Sequence, residues 1–122
     1  MSQALTGASV GFVKIPVSDF ERSRSFYRDT LGLEEAFAVA EFGWAQYETG
    51  TVPICLYVPG AGGGSRKPGG DTGVQLRVAN ARAAYEALQD HASQYGEGED
   101  GTVSFVLIDP DGNAFQVAQV SG

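Results

Sequence analysis

A strand that alternates up to its last residue and then turns straight into a helix is the feature that most constrains this chain. Val13, Ile15 and Val17 share one parity, and Phe12, Lys14 and Pro16 share the other. Side chains on a strand alternate with period two, so the apolar set packs under a helix and the mixed set faces something else. Ser18-x-x-Glu21 then matches a capping box, with Asp19 adding negative charge to the first turn. Phe20, Ser23, Tyr27 and Leu31 follow at helical spacing, and Gly32 suits a left-handed helix end. A degenerate copy begins 61 residues later: Val74, Leu76 and Val78 repeat the apolar parity, and Asn80 stands where a helix starts. A repeat of half the chain takes precedence over any local reading.

Between the two copies the pattern predicts three strands: one within 33–42, one over 44–48, and one over 53–58 with Pro53 near its start. Residues 59–72 are rich in glycine and read as a mobile linker. They lack the spacing of a phosphate-binding loop and have no helix directly behind them. In the second half, a helix is expected from about Ala81 to Ala92, with Ala84, Leu88 and Ala92 inward and His91 exposed near its end. Residues 93–101 are polar, so any strand there is brief or lost. Residues 102–108 and 114–120 read as strands joined by the hairpin turn Asp109-Pro110-Asp111-Gly112-Asn113. Phe26, Tyr27 and Phe105 are assigned to the core.

The chain of 122 residues is one domain's worth, 1–122, with module one at about 8–59, a linker at 60–72 and module two at about 73–120. The order expected is strand, helix, three strands, linker, strand, helix and two or three strands, an α+β class whose two open sheet faces curve toward each other around a shared cavity. The formal charge of −7 argues against nucleic acid as a partner. No apolar run approaches the length of about 18 residues that marks a membrane span, so no membrane partner is expected. The N-terminus lacks the basic head and apolar stretch of a signal peptide, and the single Cys55 forms no internal disulfide. Both point to a cytoplasmic location.

The stretch from Val17-Ser18-Asp19-Phe20-Glu21-Arg22-Ser23 to Phe26-Tyr27-Arg28-Asp29-Thr30-Leu31-Gly32-Leu33 resembles the opening signature of the vicinal oxygen chelate superfamily. Phe105 through Asn113 and the strand after it are similar to its closing signature. That superfamily includes glyoxalase I, extradiol dioxygenases, fosfomycin-resistance transferases and bleomycin-resistance binding proteins, commonly as homodimers, and the resemblance implies its α+β fold: two βαβββ modules forming a cupped mixed sheet with helices on its outer face. Metal-dependent members carry one ligand on each of four strands. The resemblance puts those positions at Phe12, Gly73, Gln116 and, least securely, Cys55. Phenylalanine and glycine offer no lone pair, while a catalytic metal needs about three protein ligands. No metal and no cofactor are therefore expected, and no catalytic residue is assigned.

The same resemblance defines the parity that faces the cup. It puts Phe12, Lys14, Trp44, Gln46, Cys55, Tyr57, Gln75, Arg77 and Gln116 there, with Ser104 a further candidate. An aromatic wall with a few amides and two cations suits a flat or anionic organic ligand. The alternative for Lys14 and Arg77 is to extend to the rim or to pair with Glu48 or Asp71. Cys55 reads as an inert buried thiol. The reading is a metal-independent small-molecule binding protein, similar to the resistance proteins that sequester antibiotics, as a homodimer. A metal-dependent lyase, isomerase or dioxygenase with an atypical site, and a dimeric module with no ligand, are the alternatives.

Overall fold

A computed structural model describes residues 2–120. Strand β1 (Val13–Pro16) leads into helix α1 (Phe20–Ser25), which continues as a π-helical turn over Phe26–Thr30. Strands β2 (Glu34–Val39), β3 (Trp44–Glu48) and β4 (Ile54–Tyr57) complete module one. Module two repeats the order with β5 (Gly70–Val78), α2 (Ala81–Ala87), β6 (Ala92–Glu97), β7 (Val103–Ile108) and β8 (Asn113–Gln119). Each module is a four-stranded mixed sheet, ordered β1-β4-β3-β2 and β5-β8-β7-β6. The expected class, two βαβββ modules of α+β type, is what forms. No helix among the described residues is long and apolar enough to cross a membrane.

The repeat is faithful at the level of register. In the parallel pair of module one Lys14 lies opposite Cys55 and Ile15 opposite Leu56. In module two Gln75 lies opposite Gln116 and Leu76 opposite Val117, each 61 residues on. The alternation therefore sorts both sheets in the same way. Ile15, Val17, Ala45, Tyr47, Ile54 and Leu56 from module one join Phe105, Leu107, Phe115 and Val117 from module two in one core, with Phe26 and Tyr27 between them.

A polar clasp fastens the modules at the turn 109–113. The buried Asp109 carboxylate accepts from the Tyr27 hydroxyl at 2.7 Å, from Asn113 Nδ2 at 2.9 Å and from the backbone amides of Asp111 and Asn113. Asn113 Nδ2 also donates to the Pro16 carbonyl, and its Oδ1 accepts from the Gly69 amide. Asp111 accepts from the amide and hydroxyl of Ser18. This corrects the expected capping box. Ser18 is occupied by module two, and the N-cap is Asp19, whose carboxylate accepts from the Arg22 amide at 3.1 Å. Asn80 caps α2 as expected, accepting from the Ala83 amide.

Three further expectations change. Residues 92–97 form a full strand, paired to β7 across a bulge where Gln94 takes a φ of 54°. Its polar composition hid it, because of its side chains Tyr95 is the one seated on the core aromatics, 4.6 Å from the Tyr85 ring. His91 is not a free surface residue, since its ring meets that of Phe26 edge-on at 4.9 Å. The expected linker is shorter, because β5 begins at Gly70 and Asp71 already lies opposite Ala114 in the ladder with β8.

Candidate functional site

The register fixes which side chains share the face of module one turned away from the core. Lys14 lies opposite Cys55, Gln46 opposite Cys55, and Trp44 opposite Tyr57. One face therefore carries Phe12, Lys14, Cys55, Tyr57, Gln46 and Trp44, the parity expected for all six. Phe37 lies opposite Gln46 and Val39 opposite Trp44, extending the apolar part of the same face across β2. Glu48, two residues beyond Gln46, shares that parity and accepts from Gln46 Nε2 at 3.1 Å.

Lys14 is the polar centre of this face. Its ammonium lies 5.1 Å from the centroid of the Tyr57 ring, within range of a cation–π attraction. It also donates to the carbonyl of Gly63. It does not pair with Glu48 or Asp71. Phe12 and Trp44 meet edge-on with ring centroids 5.5 Å apart, making an aromatic wall beside it.

The glycine-rich segment, read as a free linker, lies over this wall. A Cβ at Gly63 would come within 2.9 Å of Tyr57 Cβ and 3.2 Å of the Trp44 ring. One at Gly64 would come within 3.0 Å of the Tyr57 ring and 3.2 Å of Lys14 Nζ. The glycines are therefore required here for close approach of backbone to aromatic rings. Arg66 completes the strap by donating to the Lys14 carbonyl at 3.0 Å. A cavity of about 420 Å³ opens between this strap, Trp44, Phe42 and Val39. Composition alone marked the segment as mobile; that it caps the Lys14 face depends on where β4 delivers the chain.

Cys55 is fully buried, and its thiol is pushed up to about 11, first by burial and then by the Glu48 charge. A group held neutral in the fold but free to ionise when unfolded weakens the fold as pH rises. Stability should fall between about pH 9, where the unfolded thiol ionises, and about pH 11, where the folded one does. Urea melts across that interval check this, and Cys55→Ala should flatten the fall. At neutral pH the thiol should react with an alkylating reagent only as fast as the protein unfolds.

Module two presents the repeat of this face. Gln75 lies opposite Gln116, Arg77 and Ser104 each lie opposite Ala118, and Val106 lies opposite Gln116. Gln75 Nε2 donates to Gln116 Oε1 at 2.6 Å. A cavity of about 490 Å³ runs past Gln75, Gln116, Ala114 and Val106. The nine candidate residues thus fall into two sets on two sheets. Lys14 and Tyr57 belong to one, Gln75 and Gln116 to the other, and neither of these two cavities is lined by both sets.

The four positions that the resemblance implies for ligands do not suit a metal. Phe12 and Gly73 carry no donor atom. The Gln116 oxygen already accepts from Gln75, which leaves Cys55 as a single thiol donor where a catalytic metal needs about three protein ligands. Among the described residues no group of three His, Cys, Asp or Glu could hold a metal ion.

Comparison with known proteins places this arrangement. No curated protein is significantly similar in sequence to the chain. A member of the glyoxalase/bleomycin resistance protein/dioxygenase superfamily from Sphaerobacter thermophilus has a similar structure, with 28% identity and a TM-score of 0.79 over 93% of this chain and 98% of that one. Lactoylglutathione lyase from Agrobacterium tumefaciens shares the fold at 19% identity and a TM-score of 0.74, over 92% of this chain and 93% of that one. A glyoxalase/bleomycin resistance protein from Catenulispora acidiphila does so at 20% identity and 0.68, over 93% and 100%. The family model for the Glyoxalase/Bleomycin resistance protein/Dioxygenase superfamily matches residues 9–117, and with both modules and the register repeat in place the chain belongs to that superfamily.

Proposed function

We propose that the protein binds and sequesters a small aromatic or anionic organic molecule on the Lys14 face of module one, without a metal, in the manner of the bleomycin-resistance members of its superfamily. The observation that carries this reading is the seat of Lys14. Its ammonium rests over the Tyr57 ring and against a backbone carbonyl, with no carboxylate partner among the described residues. A cation held in that way is ready to exchange the carbonyl for a ligand anion, while Phe12 and Trp44 supply a flat apolar wall. Gln46 beside them offers an amide for orientation.

A homodimer fits the same reading. The strands β1 and β5 both lie at sheet edges, and Phe12 and Phe37 remain about half exposed on the Lys14 face. A second copy would cover these rings and bring a Gln75–Gln116 face toward Lys14, completing the cup that one chain leaves in halves.

Trp44 is the single tryptophan and reports directly on the site. Titration with a panel of aromatic carboxylates and planar antibiotics should quench or shift its fluorescence and raise the melting temperature for at least one compound. Lys14→Ala should then weaken the anionic ligands roughly ten- to a hundredfold, the worth of a charge-assisted hydrogen bond of about 1.5–3 kcal/mol. Silence of Trp44 toward the whole panel, or unchanged affinity in Lys14→Ala, would remove the reading.

A further inference from the structure

The two modules meet at two junctions related by the internal repeat, and the chain fills only one of them. At the first junction Tyr27 reaches Asp109, and Asn113 reaches the Pro16 carbonyl. Moving those residues by the 61-residue repeat of the parallel ladders gives their counterparts at the second. Leu88 stands for Tyr27, Val52 for Asn113, Glu48 for Asp109, and Ala84 for Ser23, whose hydroxyl donates to Asp111 at the first junction. The phenol, the hydroxyl and the amide that close the first junction are replaced by shorter aliphatic groups. What remains is a cleft of about 650 Å³ lined by Leu88, Ala84 and Val52, with Glu48 outside its lining. Its volume is that of a ligand pocket.

The chemistry of the cleft differs from that of the Lys14 face. Leu76, Val78 and Ile54 join Leu88 and Ala84 in its walls, and neither an aromatic ring nor a carboxylate lines it. Its one charged residue is Arg77, which starts on the Gln75 face of the edge strand β5 and borders the cleft from that edge. Arg77 makes no ion pair and no side-chain hydrogen bond among the described residues. A guanidinium at the mouth of an aliphatic slot selects a carboxylate with an aliphatic tail.

We propose that this cleft is a second binding site, distinct from the Lys14 face, for a small aliphatic monocarboxylate. The tail lies between Leu76, Val78 and Leu88, and the carboxylate meets Arg77 at the β5 edge.

Decanoate serves as the probe, followed by methyl NMR of the leucine and valine residues, with Trp44 fluorescence recorded in parallel. Decanoate should shift the methyls of Leu88, Leu76 and Val78 in a saturable way and leave Trp44 unchanged. Decanol should bind roughly tenfold more weakly, and Arg77→Gln should bring decanoate down to the same level. Leu88→Tyr, which restores the ring present at the first junction, should abolish binding and raise the melting temperature. If that variant fails to fold, Ala84→Leu fills the slot by a smaller step. Absence of saturable shifts, equal affinity for decanoate and decanol, or binding that survives a folded filling variant would overturn the proposal. So would conversion of a dimer to monomers by Leu88→Tyr, which would assign the cleft to a second copy of the chain.

Discussion

Asp109→Ala is expected to lower the unfolding free energy by more than about 3 kcal/mol, read from the shift in urea midpoint at constant slope. The carboxylate is buried and accepts four hydrogen bonds, two from side chains and two from backbone amides. Without it the Tyr27 hydroxyl and the Asn113 amide lose a partner in a place that water does not reach, both side chains being nearly inaccessible. Each orphaned buried group costs about 1–3 kcal/mol, against a total of about 5–15 kcal/mol for a domain of this kind. Tyr27 remains a donor throughout the working pH range. Burial first, and then the Asp109 charge, hold its phenol far above the usual range. Tyr27→Phe should therefore cost less, about 1–2 kcal/mol, because Asp109 keeps its other three bonds. A loss below about 1 kcal/mol for Asp109→Ala would mean that the clasp does not hold the modules together.

Phe115→Ala should cost about 3–5 kcal/mol in the same measurement. Its ring is 1% exposed and meets Tyr27 edge-on with centroids 6.2 Å apart, so it joins a strand of module two to the helix of module one. Truncation leaves a cavity between two sheets already braced by their own ladders, which limits collapse around it. Phe115→Leu should recover most of the loss. Phe12→Ala is the contrast. That ring is 46% exposed, and its removal should stay within about 0.5 kcal/mol. Similar penalties for Phe12 and Phe115 would contradict the division of each sheet into a core face and an open face.

Much of the fold was legible in residues alone. The alternation of Val13, Ile15 and Val17 placed β1, and the same pattern at Val74, Leu76 and Val78 placed β5. The interval 44–48 is strand β3 without adjustment, and Asp109 to Asn113 make the expected turn. The facing of the candidate residues came instead from the family resemblance, which implies one position on each strand. Trp44 and Gln46 share the face of Cys55 and Tyr57 because the register with β4 sets them opposite one another. The strand over 92–97 was less legible, since its pairing rests on backbone hydrogen bonds to β7 and on a bulge at Gln94, and its side chains are mostly polar. The N-cap was misplaced by one residue for a similar reason. Ser18 carries the right chemistry for a cap, but Asp111, distant in sequence, takes its hydroxyl.

The sequence by itself determined two homologous modules and the two faces of each sheet. These follow from residue identity and short-range periodicity, which act within a few residues of each other. The tertiary structure decided how the faces are used. It laid glycines 63 and 64 on Tyr57 and Trp44, tied Tyr27 to Asp109 across the modules, and left an aliphatic cleft where Leu88 stands in place of a tyrosine. Each of these depends on which distant segments meet, and that is set by packing two sheets around one core, an arrangement no single stretch of the chain encodes.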